Sequence, residues 1–174
     1  MNSMKRILLV EDSARDAELI LGALEPHQLS HQVVHVRDGA EALDYLYRRG
    51  AFAGRSDAPP IVMLLDLKLP KVDGLEVLRQ IKGDAELRTI PVVMMTSSRQ
   101  EQDLVRSYEL GVNAYVVKPV KFQDLPDCCR LITIQPSRKI LGEHRDFVPH
   151  GYIARIHETA GEDHQVANSL ILIV

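Results

Sequence analysis

The sequence predicts an α/β fold in which helices cover both faces of a five-stranded parallel sheet. Five short apolar runs recur along the chain up to residue 117, and segments of helical period lie between them. The third run, IVMLL at residues 61–65, is apolar without interruption and is flanked by prolines on both sides. Short runs that are apolar on both faces suit strands buried inside a sheet, and strands that alternate with helices form parallel pairs.

The apolar runs give five strand candidates. They are residues 7–10, 33–36, 61–65, 92–95 and 114–117. Right-handed crossovers between successive strands produce a doubly wound sheet, for which the flavodoxin-like strand order 2-1-3-4-5 is expected.

The predicted helices begin at residues that can cap them. Ser13 precedes the first helix, and Asp38 with Glu41 three residues later forms a capping-box-like start for the second. Asp73 precedes the third helix, which Gly83 closes.

Two further helices are expected in the second half of the fold. Ser98 and Glu101 form another capping-box pair, which predicts a fourth helix as far as Gly111. A fifth helix is expected after Lys121, although Pro126 requires it to start late and to be short.

Composition limits the classes of function. The chain has 174 residues, is 45% hydrophobic and carries a net charge of -3, so it can bury one ordinary core and has no general electrostatic footprint for nucleic acid or membrane. Its only cysteines, Cys128 and Cys129, are adjacent and cannot form a disulfide framework, which fits a reducing compartment. The apolar run at residues 7–10 is too short for a secretory signal, and a cytoplasmic location is expected.

Polar residues follow four of the predicted strands. Glu11 and Asp12 follow the first strand, Asp66 the third, Thr96 the fourth and Lys118 the fifth. Each residue alone is ordinary at the junction of a strand and a helix. Together they would meet at one edge of the sheet, where ligands of parallel sheets bind. Three converging carboxylates repel one another, and a divalent cation such as Mg²⁺ relieves that repulsion.

This set of residues is suited to phosphoryl transfer. Asp66 would be the nucleophile, and Mg²⁺ held by Asp12 and Asp66, with Glu11 acting through water, would offset charge on the transferred group. Lys118 would supply a second positive charge. Thr96 offers a hydroxyl that a phosphate oxygen could draw inward, or it caps the following helix.

The strings LLVEDS, LLDLKLPKVDG, MMTSS and AYVVKPV, taken in that order, resemble the receiver domains of two-component response regulators over residues 4–132. The resemblance implies that the backbone carbonyl of Lys68 completes the metal shell. It also implies that Tyr115 turns inward on phosphorylation. The alternative is that Tyr115 is an ordinary, half-exposed tyrosine on an edge strand. The residues in these motifs are most similar to those of small stand-alone regulators that serve phytochrome-type sensor histidine kinases.

The resemblance implies a protein that accepts a phosphoryl group on Asp66 from a sensor histidine kinase and is not itself an enzyme. Its signal would be a conformational change at the surface formed by the fourth helix, the fifth strand and the fifth helix. Two rival functions remain. One is a docking module that works without phosphorylation. The other is a phosphatase of the haloacid dehalogenase type, although Lys68 stands where that chemistry usually places a second aspartate.

The resemblance ends near residue 133, so a receiver domain is expected over residues 1–133 and a tail over 134–174. The tail carries four basic and five acidic residues, which disfavours a nucleic-acid-binding output module. Its final SLILIV is compatible with a strand added to a partner's sheet, with an arm exchanged in a homodimer, or with an altered reading frame.

Overall fold

The computed structural model describes residues 6–96, 107, 110–118, 153–155 and 171–173, without the side chains of residues 115, 117, 153–155 and 171–173. Within the described residues, five parallel strands form a sheet in the order β2-β1-β3-β4-β5. The strands are β1 Ile7–Val10, β2 Val33–Val36, β3 Val62–Asp66, β4 Val92–Thr96 and β5 Ala114–Val117. The predicted α/β fold and the predicted strand order are confirmed.

Three helices are described, α1 Ala14–Leu24, α2 Gly39–Leu46 and α3 Gly74–Gly83, together with short 3-10 segments at Glu25–His27, Ser30–Gln32 and Gly50–Phe52. Each helix begins at its predicted cap. The side chains of Ser13, Asp38 and Asp73 each accept a hydrogen bond from the backbone N–H three residues later. The predicted fourth helix, apart from its last residues, and the predicted fifth helix lie outside the described residues.

Strands β3 and β4 each extend one residue beyond the apolar run that predicted them. Asp66 and Thr96 are therefore the last residues of the two strands and not the first residues of loops. The sheet continues because the backbone N–H of Leu67 donates to the carbonyl of Met95 at 2.8 Å. Strand pairing thus fixes the backbone at Asp66 and at Thr96, and so fixes the point from which each side chain projects.

The core lies on both faces of the sheet. Leu8 of β1 packs with the buried residues of α2 and α3 on one face, including Leu78. Leu9 points to the opposite face, where it packs with Ile20 of α1. Both leucines are fully buried, as expected for a central strand that is covered by helices on two sides.

The described part of the tail forms two short strands, β6 Ile153–Arg155 and β7 Ile171–Ile173. They pair antiparallel in a separate two-stranded sheet. The division of the chain at residue 133 stays a prediction. None of the helices in the described residues has the length and apolar character needed to cross a membrane.

Gly74 lets α3 start directly against the end of β3. A Cβ atom at this position would collide with the carbonyl oxygen of Asp66 and lie 2.9 Å from the Cα of Leu67. We therefore expect Gly74→Ala to lower the free energy of unfolding by about 2 kcal/mol, because backbone atoms must move to admit the methyl group. Urea denaturation measures this change.

The matched control is Gly22→Ala, in the interior of α1, where an added Cβ has no neighbour within 4 Å. That variant should be more stable than the wild type by about 0.5–1 kcal/mol, since alanine has the higher helix propensity. Equal changes in the two variants would contradict the close approach at Gly74.

Candidate functional site

The carboxyl ends of β1 and β3 bring three acidic residues together. Glu11 and Asp12 follow β1, and Asp66 ends the neighbouring strand β3. Oxygen atoms from these three carboxylates lie within 4.8 Å of one another. Glu11 and Asp66 are buried, whereas Asp12 is exposed. Such a set of hard oxygen ligands, open to water on one side, fits a Mg²⁺ ion.

Lys118, the residue directly after β5, places its ammonium group against the acidic residues. Its Nζ lies 2.6 Å from Glu11 Oε2 and 3.4 Å from Asp66 Oδ1. Burial alone would lower the pKa of Lys118, but hydrogen bonds to Glu11 and Asp16, together with the charge of Asp66, raise it above the ordinary value. The lysine therefore stays charged.

Asp66 is a buried carboxylate, with 7% of the residue exposed. Burial raises its pKa from 3.8 to about 6; Lys118 opposes this shift and the charge of Glu11 adds to it. Its Oδ1 accepts the backbone N–H of Leu67 at 2.9 Å. At neutral pH the group is mostly ionised, but in an environment that disfavours its charge. A bound cation would relieve this penalty.

Glu11 is held by several hydrogen bonds besides the one from Lys118. Its Oε1 accepts the backbone N–H of Ser13 at 3.3 Å, and its own N–H donates to the carbonyl of Val36 at 3.1 Å. His35 Nε2 lies 2.8 Å from the carbonyl oxygen of Glu11, and because a carbonyl only accepts, this nitrogen must donate. The buried Glu11 carboxylate is thus fixed in position.

The remaining predicted residues lie around this edge of the sheet. Thr96 ends β4 and is fully buried, and its carbonyl accepts the backbone N–H of Lys118 at 2.6 Å. Lys68 is exposed, two residues beyond Asp66. Tyr115 lies in β5 opposite Met94, but its side chain is outside the described part of the chain. The roles of Thr96 and Tyr115 as a switch, and of the Lys68 carbonyl as a metal ligand, stay predictions.

Two contacts of the site were not predicted from the sequence. One is the hydrogen bond of His35 to Glu11, and the other is a 3.0 Å contact between Lys118 Nζ and Asp16 Oδ2. Asp16 lies in the first turn of α1, where an acidic residue is expected for its interaction with the helix dipole alone. The sequence pattern around Asp16 therefore contained no signal for a bond to Lys118.

Comparison with known proteins gives one family for this chain. The family model described as the response regulator receiver domain matches residues 7–130. Response regulator Rcp1 of Synechocystis is 43% identical over 124 residues, which cover 71% of this chain and 83% of that protein. The crystal structure of the Mn²⁺-bound form of Rcp1 matches with a TM-score of 0.62 at 40% identity, over 76% of this chain and 92% of that one.

Two further solved structures are similar. The bacteriophytochrome response regulator RtBRR is 54% identical, with a TM-score of 0.65 over 84% of this chain and 85% of that one. The phosphorylated cyanobacterial phytochrome response regulator RcpA is 44% identical, with a TM-score of 0.65 over 75% of this chain and 92% of that one. The predicted resemblance to receiver domains, and to regulators linked to phytochromes, is confirmed.

Proposed function

Since this chain belongs to the response regulator receiver family, we propose that it accepts a phosphoryl group on Asp66 from a sensor histidine kinase in a Mg²⁺-dependent reaction. One observation carries the proposal. The carboxylates of Glu11, Asp12 and Asp66 converge within 4.8 Å at the edge of the sheet where Lys118 follows β5. This arrangement combines a nucleophile, a cation site and a fixed ammonium group.

Each residue has a distinct role in the proposed reaction. A carboxylate oxygen of Asp66 attacks the phosphorus atom and becomes bonded to the phosphoryl group, while the bond from phosphorus to the histidine nitrogen of the kinase breaks and the histidine leaves. Asp12, Asp66 and the Lys68 carbonyl would hold Mg²⁺, and Glu11 would contribute through water. When bound, the ion offsets negative charge on the transferred group.

Lys118 supplies a positive charge from the protein, in addition to the charge of the metal ion. Its side chain is 14% exposed, so its attraction for a phosphoryl oxygen is only weakly screened by solvent. Glu11 holds the ammonium at 2.6 Å and so limits where it can lie.

Phosphorylation would be read out through Thr96 and Tyr115. A phosphoryl group adds about two negative charges and three acceptor oxygens beside the end of β4. The Thr96 hydroxyl can donate to one of those oxygens, and Tyr115 can then fill the space that Thr96 leaves. The surface formed by the predicted fourth helix, β5 and the predicted fifth helix would shift between two packings.

The proposed partner is a phytochrome-type histidine kinase. This part of the proposal is supported by the similarity to RtBRR and RcpA, both of which are phytochrome response regulators by name. The chain would act in the cytoplasm as a stand-alone signalling protein and not as an enzyme of multiple turnover.

A receiver that docks without being phosphorylated is the second candidate. The chain has the complete set of residues that phosphorylation requires, which favours the phosphorylated function. These are Glu11, Asp12, Asp66, Thr96 and Lys118. A phosphatase of the haloacid dehalogenase type is disfavoured by Lys68, which is exposed where a second aspartate would be needed.

Labelling with acetyl phosphate tests the proposal. The wild type should acquire one phosphoryl group with Mg²⁺ and none with a chelator, and Asp66→Asn should acquire none under either condition. The control is Asp73→Asn, since Asp73 caps α3 in the loop after Asp66 and asparagine caps helices equally well. Labelling of Asp66→Asn, or metal-independent labelling of the wild type, would contradict the assignment.

A further inference from the structure

We infer that Asp16 is a positioning residue that holds the Lys118 ammonium toward α1 and thereby weakens its hold on a phosphoryl group at Asp66. The inference rests on the proposed function. It assigns to Asp16 a regulatory effect on the lifetime of the phosphorylated state, without any contact between Asp16 and the reacting atoms.

The Lys118 ammonium contacts three acidic side chains. Its Nζ lies 2.6 Å from Glu11, 3.0 Å from Asp16 and 3.4 Å from Asp66. An ammonium group has three N–H donors; here it donates hydrogen bonds to Glu11 and Asp16, and Asp66 lies within ion-pair distance. The two shorter contacts go to the residues that follow β1, and the contact to Asp66 is the longest. Lys118 is therefore bound more closely to Glu11 and Asp16 than to the proposed acceptor.

The capping of α1 explains why the Asp16 carboxylate is available for this contact. The backbone N–H of Asp16 donates to Ser13 Oγ at 3.2 Å, which is half of a capping box. In a complete box the acidic side chain three residues on accepts the N–H of the capping residue. Here that N–H donates to Glu11 Oε1 instead, at 3.3 Å. Glu11 thus takes the place that Asp16 would have filled, and the Asp16 side chain contacts Lys118.

The consequence is competition for one positive charge. A phosphoryl group on Asp66 brings about two negative charges to the site and attracts the ammonium. Asp16 attracts the same ammonium from α1 and repels the phosphoryl group. The Asp16 side chain is 35% exposed, so solvent weakens both effects without removing them. Removing its charge should strengthen the binding of a phosphoryl group.

Binding of beryllofluoride, an anion that mimics an acyl phosphate, tests this competition in the full-length protein. At saturating Mg²⁺, isothermal titration calorimetry should show a Kd for Asp16→Asn about three- to tenfold lower than for the wild type. Asp16→Glu restores the charge and should bind within about twofold of the wild type. The half-life of the aspartyl phosphate should lengthen in Asp16→Asn by a similar factor.

Glu18→Gln is the matched control. It removes one negative charge from an exposed position of the same helix, and its Kd should equal that of the wild type. Thermal unfolding of each variant separates a change at the site from a loss of fold. If the wild type binds beryllofluoride and Asp16→Asn binds it equally or more weakly, the role of Asp16 is wrong while the proposed function stands. If the wild type does not bind it, both are wrong.

Discussion

Asp66→Asn should stabilise the metal-free protein by about 2–3 kcal/mol near neutral pH, in addition to abolishing phosphorylation. Burial raises the pKa of Asp66 from 3.8 to about 6. The folded protein therefore holds a proton on Asp66 more tightly than the unfolded chain does, and its stability falls as pH rises from about 3.8 to about 6. Above that range the full cost of the buried charge is present. Asparagine removes the charge and can still accept the Leu67 N–H.

Urea denaturation at about pH 7.5 and about pH 4, without metal, measures this effect. The gain in stability should be large at the higher pH and close to zero at the lower one. Asp12→Asn is the control, because Asp12 belongs to the same acidic set but is exposed; its gain should be about 0.5 kcal/mol or less. A gain at Asp66 that does not depend on pH would show that charge burial is not the cause.

The cost of this charge is an expected feature of a site made for a cation. A buried carboxylate that destabilises the empty fold gains more from Mg²⁺ than an exposed carboxylate would. The same environment keeps water from screening the charges on a transferred phosphoryl group. The buried charge therefore lowers the free energy of unfolding of the metal-free protein. Such a cost is usual where function and stability compete.

The sequence was sufficient to predict the parts of the fold that depend on local signals. The caps at Ser13, Asp38 and Asp73 each involve a side chain and a backbone N–H only three residues apart. The strands were found because apolar runs report burial on both faces of the sheet. Residue type and position after each strand were also sufficient to predict that Glu11 and Asp66 would meet.

Other features depend on contacts between distant parts of the chain. Asp16 and Lys118 are 102 positions apart, and neither neighbourhood shows which acid the lysine will contact. The ends of β3 and β4 could not be placed from apolarity, because hydrogen bonding to the neighbouring strand decides where pairing stops. In these cases the local sequence pattern gives no information about the distant residue that makes the contact.

Lys82 of α3 shows the same limitation. Its position near the end of an amphipathic helix is typical of a solvated lysine. In the structure its Nζ donates to the carbonyl of Ile90 at 2.9 Å and to Asn113 Oδ1 at 3.2 Å, and burial lowers its pKa to about 8. The lysine links α3 to the segments before β4 and β5, which no local pattern could indicate.

The second large effect is expected for Lys118→Met, which should lower the free energy of unfolding of the metal-free protein by about 3–5 kcal/mol. The Lys118 ammonium contacts Glu11, and the Glu11 side chain is only 1% exposed. Removing the ammonium leaves that buried carboxylate beside Asp66 without the ion pair that Lys118 supplies. Methionine keeps much of the volume of the lysine side chain, so the loss reports the charge and not a cavity. Urea denaturation without metal measures it.

Mg²⁺ should reduce the loss, because a cation held beside Glu11, Asp12 and Asp66 supplies positive charge to the same carboxylates. The difference between Lys118→Met and the wild type should therefore be smaller at saturating Mg²⁺ than in a chelator. Lys71→Met is the control: Lys71 also forms an ion pair, 2.6 Å from Asp38, but its side chain is 68% exposed. Lys71→Met should cost far less than Lys118→Met, with no dependence on Mg²⁺, because solvent screens an exposed ion pair. Equal costs for the two lysines would mean that the Lys118 contacts are solvated, and that the acidic residues do not require its charge.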